Sequence, residues 1–105
     1  MTSENWKAAP VSAPPGEGEV VGTKIEGKEI AIYNVEGVLY ATDNICSHAL
    51  ALLSEGYLEG YEIECPLHAG RFDVRNGKGQ GPPISCDIKS YRVRQNGPLL
   101  EVAFE

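Results

Sequence analysis

The sequence predicts an all-β fold: a small antiparallel sandwich or barrel of short strands, with a two-loop metal-binding subdomain at one end. Three observations predict it. Apolar residues alternate over short runs separated by turn formers, among them Glu26-Gly27, Glu36-Gly37 and Asn96-Gly97. No segment sustains a helical period. Both histidines and two of the three cysteines fall in two tight pairs, Cys46-Ser47-His48 and Cys65-Pro66-Leu67-His68.

In chain order, Trp6 to Val11 reads as a short edge strand limited by Pro10. Pro14, Pro15 and Gly16 make Ser12 to Gly18 a loop. Glu19 to Ile25, Glu29 to Asn34 and Val38 to Thr42 follow as strands joined by acidic-Gly turns, which predicts a meander. In the second of these, Ile30 and Ile32 share one face, and Ala31 and Tyr33 the other. Ala49 to Leu53 is an apolar run expected to form a single helical turn. Ser54 to Gly60 reads as a return, and Tyr61 to Glu64 as the strand that delivers Cys65. Arg71 to Val74 is a further strand, and Asn76 to Pro83 is irregular. Lys89 to Arg94 alternates, with Tyr91 and Val93 on one face. A hairpin turn at Asn96-Gly97 leads to a last strand of alternating Leu100, Val102 and Phe104. Trp6, Tyr33, Tyr40 and Phe104 are expected in the core.

At 105 residues the chain reads as one domain, 1–105, with the metal loops in a subdomain of about 43–83. A net charge of −6 argues against nucleic acid and anionic membranes, and favours transient docking to a basic surface. No apolar run is long enough to span a bilayer, and no signal pattern opens the chain. Three cysteines are too odd a number for a disulfide framework, so the expected compartment is a reducing cytoplasm.

The pattern C-x-H-x16-C-x2-H offers two thiolates and two imidazoles. One zinc ion would take all four in a tetrahedron. A 2Fe–2S centre of mixed ligation would place the cysteines on one iron and the histidines on the other. The ligand types alone leave both open. The surroundings favour the second. Ile45 to His48, Glu64 to Asp73 and Gly81-Pro82-Pro83 resemble the three cluster loops of Rieske-type ferredoxins. The flanks Val38 to Asp43 and Gly56 to Gly60 resemble them too, and more narrowly the chain is similar to the ferredoxin components of bacterial aromatic-ring-hydroxylating dioxygenase systems.

That resemblance implies one 2Fe–2S cluster, with Cys46 and Cys65 on the inner iron, His48 and His68 on the outer iron, and Gly81 to Pro83 closing over it. It implies a one-electron carrier between a flavin-containing ferredoxin reductase and a terminal oxygenase, both bound transiently. It implies no catalytic residues, because both histidines are used and none remains for a mononuclear iron site. Two rival readings stand beside it: a small Rieske subunit fixed in a larger redox enzyme of the nitrite-reductase type, and a zinc-stabilised binding module.

Two departures from high-potential Rieske proteins refine the expectation. Where those carry a disulfide between the ligand loops, this chain has Ala51 and Leu67. Where those carry a serine and a tyrosine whose hydroxyls bond to sulfur, it has Gly70 and Phe72. A reduced state with fewer hydrogen bonds predicts a potential of about −150 mV, at the low end of the Rieske range. Cys86 is expected as a small buried hydrophobe rather than a redox sensor. Asp43, Arg71 and Asp73 are candidates to bond near the cluster or to form ordinary strand-end ion pairs. The apolar run after His48 is divided between a docking collar and a shield. Glu55, Glu59, Glu62 and Glu64 form an acidic stretch suited to steering a basic partner.

Overall fold

The computed structural model of the chain describes residues 5–11, 13–47, 50–67, 69–82, 84 and 86–104. Ten strands lie among them. β1 (Trp6–Ala9) precedes the meander of β2 (Val20–Ile25), β3 (Lys28–Val35) and β4 (Val38–Asp43). β5 (Tyr57–Glu59), β6 (Glu62–Glu64) and β7 (Arg71–Asp73) form a separate antiparallel sheet. β8 (Ser90–Tyr91), β9 (Val93–Asn96) and β10 (Leu99–Ala103) complete the chain.

The sheet orders are β2-β3-β4-β8, β1-β10-β9 and β5-β6-β7, antiparallel throughout. The meander turns are two-residue hairpins. Glu26 and Gly27 have φ of 51° and 82°, and Glu36 and Gly37 have 55° and 86°, the positive pair a type I′ turn requires.

β3 shows why the layers stack as they do. Ile30 and Ile32 face one core, shared with Ala9 of β1 and with Leu100 and Val102 of β10. Ala31, Tyr33 and Val35 face another, shared with Ile63 of β6 and Phe72 of β7. The alternation expected for this strand is therefore real, and both of its faces are covered. The four-stranded sheet is the middle of three layers. The result is a stacked arrangement of sheets, with no closed barrel among the described residues.

Four expectations are corrected. The run Ala49 to Leu53 is not the helical turn. A 3-10 turn lies one step on, at Leu53–Glu55, because Leu52 bridges to Ile45 and the Ala51 carbonyl accepts from Cys46 N–H, which holds that run extended. Ala49 itself lies outside the described residues. Ser54 to Gly60 contains β5, paired to β6 across Gly60-Tyr61. Lys89 to Arg94 is two strands: β8 pairs with β4, and after Arg92 the chain crosses to pair as β9 with β10. The last hairpin turns on Gly97-Pro98, since Asn96 pairs with Leu99. A turn centred on Asn96-Gly97 would need an N–H from Pro98, which has none.

Tyr33 is fully buried and shares a 2.8 Å hydrogen bond with the Thr42 hydroxyl. Trp6, Tyr40 and Phe104 are only half-buried. Trp6 lies under the guanidinium groups of Arg94 and Arg92, at 4.1 and 5.2 Å from its ring centre. No helix among the described residues is long and apolar enough to cross a membrane.

Candidate metal centre

Two loops leave the ends of the strands on the same side of the middle sheet. The first follows β4. Asn44 is fully buried there, its side-chain amide donating to Ser54 Oγ at 2.9 Å and its side-chain carbonyl accepting from Ser54 N–H at 2.8 Å. That pair ties the loop's start to its far side. Cys46 N–H donates to Ala51 O at 3.0 Å and closes it.

The second loop is the hairpin between β6 and β7. Glu64 pairs with Arg71 at its neck, and Cys65 N–H donates to Gly70 O at 2.6 Å. Ala69 takes φ of 57°, a left-handed conformation uncommon for a residue with a Cβ.

The sulfur atoms of Cys46 and Cys65 converge between these loops. Both side chains are buried, 3% and 1% exposed, and both thiols are free. They belong to one buried core cluster. Burial pushes the Cys65 thiol up, the Leu67 amide N–H opposes that, and the neighbouring Cys46 thiol adds to it. Leu53, Ile63, Phe72 and Val74 pack into the same core behind the thiols. Two buried, unbridged thiols brought together from two loops, with a backbone N–H aimed at one sulfur, fit the sulfur half of a mixed thiolate–imidazole cluster site. His48 and His68, the expected imidazole half, lie outside the described residues.

A third segment runs alongside. Gln80 N–H donates to Arg71 O at 2.9 Å, and Gly79 N–H donates to Asp87 Oδ1 at 2.9 Å. Gly77 accepts Ile88 N–H on its carbonyl at 2.9 Å, and a Cβ on Gly77 would collide with the Ile88 carbonyl. Ser47 Oγ–H donates to Cys86 O, linking this segment to the first loop. Gly81 and Pro82 are exposed, and Pro83 lies outside the described residues. Cys86 is exposed, which overturns the expectation of a buried hydrophobe. It lies in the irregular stretch before β8, where no strand alternation directs a side chain to the core.

The neighbouring charges are mostly committed to each other. Asp43 accepts the Tyr91 hydroxyl on Oδ1 and Lys89 N–H on Oδ2 at 3.3 Å. Burial, and the Asp43 carboxylate beside it, hold the Tyr91 hydroxyl above its ordinary range. Asp73 is held below the usual carboxylate range chiefly by hydrogen bonds from Arg75 at 3.0 and 2.8 Å. Arg71 reaches Glu59, Glu62 and Glu64 at 3.3, 3.2 and 2.8 Å. Arg71 therefore offsets one of the four glutamate charges, and the stretch stays net acidic. Among its four glutamates, Glu55 alone makes no ion pair with a described residue.

The apolar run divides. Leu53 is fully buried, whereas Leu50 is 95% exposed. Ile45 and Leu67 also stand out from the loops. Ile45, Leu50, Ala51, Leu52 and Glu55 line an open cleft of about 300 Å³.

Residues 5–92 match the family model described as "Rieske [2Fe-2S] domain". The chain belongs to the Rieske family. It is 55% identical over 92 residues to the ferredoxin component of the naphthalene 1,2-dioxygenase/salicylate 5-hydroxylase systems of Ralstonia sp, covering 88% of both chains. The fold superposes on the ferredoxin of carbazole 1,9a-dioxygenase from Nocardioides aromaticivorans IC177 with a TM-score of 0.82, at 33% identity over 99% of this chain and 100% of that one. It superposes equally, with a TM-score of 0.83 at 29% identity over 96% and 94%, on a chain in a complex of reduced oxygenase and oxidised ferredoxin from carbazole 1,9a-dioxygenase. The protein is thus a Rieske-type ferredoxin homologous to ferredoxin components of aromatic-ring dioxygenase systems, and its cofactor is a Rieske 2Fe–2S cluster.

Sequence reasoning missed three structural parts of this ferredoxin. The Arg71 contacts were hidden because they depend on β5, and β5 was read as a return. The signal was present: Leu58 and Ile63 stand symmetrically about Gly60-Tyr61. The Asp87 bond to Gly79 and the outward thiol of Cys86 belong to an irregular segment with no period to read.

Proposed function

We propose that this Rieske ferredoxin carries one electron at a time from a flavin-containing reductase to the terminal oxygenase of an aromatic-ring-hydroxylating system. The observation that carries the reading is the likeness to a dioxygenase ferredoxin component across most of both chains. In this role the protein is an electron-transfer component, and oxygen chemistry belongs to its partner. The whole chain, 1–105, acts as one unit, with residues of about 43–83 holding the cluster.

Cys46 and Cys65 hold one iron, and His48 and His68 the other. The burial of both thiols supports this assignment. The cluster supplies reversible one-electron chemistry. The chain's own residues supply the rest. Leu53, Ile63 and Phe72 exclude water behind the sulfur atoms, and the Leu67 amide donates toward Cys65. Gly70 and Phe72 offer no hydroxyl, which supports a potential of about −150 mV. Leu50, Ile45 and Leu67 present an apolar surface beside the ligand loops for brief docking, and binding there is weak because turnover needs fast release. Thiols left free are consistent with a cytoplasmic setting.

The test is reconstitution. The purified protein should carry about two irons per chain and show a rhombic signal on reduction. It should accept electrons from a dioxygenase-type reductase and pass them to the oxygenase, with a rate that falls as salt rises. Zinc in place of iron would overturn the cluster. Purification only in fixed stoichiometry with a larger enzyme would overturn the role of mobile carrier.

A further inference from the structure

The second ligand loop is a six-residue hairpin loop, 65–70, and the short sheet that carries it has an unusual charge arrangement. Glu59 and Glu62 sit directly opposite each other on β5 and β6. Like charges so placed destabilise a sheet. Glu64 lies two residues from Glu62 on the same face of the same strand. Arg71 stands opposite Glu64 on β7 and reaches all three carboxylates, NH1 to Glu59 and Glu62, NH2 to Glu64. From its place at the neck opposite Glu64, one guanidinium extends along the sheet to Glu59 and Glu62 at its far end, and so ties together three strands. Directly above it, Cys65 N–H bonds to Gly70 O, and Arg71 O holds Gln80 of the third segment.

We propose that Arg71 is a positioning residue that keeps the neck of loop 65–70 closed and, by offsetting one of the three glutamate charges, raises the potential of the cluster above what three bare carboxylates would impose. The guanidinium suits both parts. Its planar fork presents separate donors to separate carboxylates, which a lysine ammonium does as a point charge only. Exposed pairs are individually weak, yet three on one fork act as a network. The proposal rests on Cys65 and His68 being ligands, so its test has one arm that needs no cluster.

In iron-free protein, Arg71→Gln should speed hydrogen exchange of the Cys65 amide about three- to tenfold. In holoprotein, the same change should speed bleaching of the visible absorbance by a chelator by a similar factor and shift the midpoint potential downward, with the shift shrinking at high salt. Arg71→Lys should keep the potential near that of the parent while restoring retention only in part. Unchanged amide exchange, together with unchanged bleaching and potential in Arg71→Gln, would overturn the proposal. A lower potential with normal exchange and bleaching would overturn the positioning half. Should Arg71→Gln not fold, the split between potential and retention in Arg71→Lys decides. Absence of iron from the parent protein would instead count against the ligand assignment, and the iron-free exchange arm would still read the neck.

Discussion

The middle sheet β2-β3-β4-β8 is buried on both faces, whereas the sheet β5-β6-β7 is buried on one. The difference shows in what each needs to stay formed. β3 places Ile30 and Ile32 in one core and Ala31, Tyr33 and Val35 in the other, so apolar burial holds it from both sides. The outer sheet has strands of three residues each, with Leu58, Ile63 and Phe72 turned inward and a lattice of glutamates and arginines turned to water. Such a sheet is marginal alone. It is fastened by the Arg71 fork, by Arg75 lying 4.1 Å over Tyr61, and by Tyr61 set edge-on against Tyr40 of the middle sheet. The layer that carries Cys65 is the layer with the least of its own to stand on.

The contrast is easiest to break at β3. Ile32→Ala should cost about 2–5 kcal/mol in a denaturant titration, because the fully buried side chain leaves a cavity in the base of the molecule, between the sheets β2-β3-β4-β8 and β1-β10-β9. A cost below about 1 kcal/mol would mean that the base does not rest on this core. Removing the iron probes the other layer. The iron-free protein should keep amide protection in β2 to β4 and lose about a hundredfold of protection in residues 65–70. Uniform loss would erase the distinction. Tyr33→Phe sharpens the comparison at the seam, since it deletes the buried bond to Thr42 while keeping the ring. About 1 kcal/mol should be lost.

The smallest effect concerns pH. Asp73 has a depressed folded-state pKa, so its contribution is complete above the ordinary carboxylate range and drains away as pH falls through the lower folded value. Acid titration should therefore loosen the Asp73–Arg75 end of the outer sheet below about pH 4, read as faster exchange there while β3 is unchanged. The Asp73→Asn variant should show no such acid step.

Much of this was legible from residue order, and the exceptions have physical reasons. The meander was readable because two acidic-Gly turns fix its register and β3 alternates without a break. The meeting of Cys46 and Cys65 in one core was readable because each stands in a tight pair with a histidine, a spacing suited to metal ligation. β5 was not, since three residues are too few for a period. The split of β8 from β9 at Arg92 leaves no mark in a strand whose alternation continues unbroken from Tyr91 to Val93. The acidic stretch looked like a solvated face because its cation, Arg71, comes seven residues after Glu64 and meets it only across the hairpin. Pro98 did encode the displaced turn, through the N–H it lacks.

One pairing has a kinetic consequence. β1 pairs with β10, joining Trp6 to Ala103, so one face of the base is assembled from strands far apart in sequence. Loop closure of that span is slow compared with the local hairpins of the meander and of the outer sheet. During synthesis those hairpins form while Ile30 and Ile32 still lack their cover. The core beneath β3 seals only when the last strand arrives, so a chain shortened by its final strand should fold its hairpins and still aggregate.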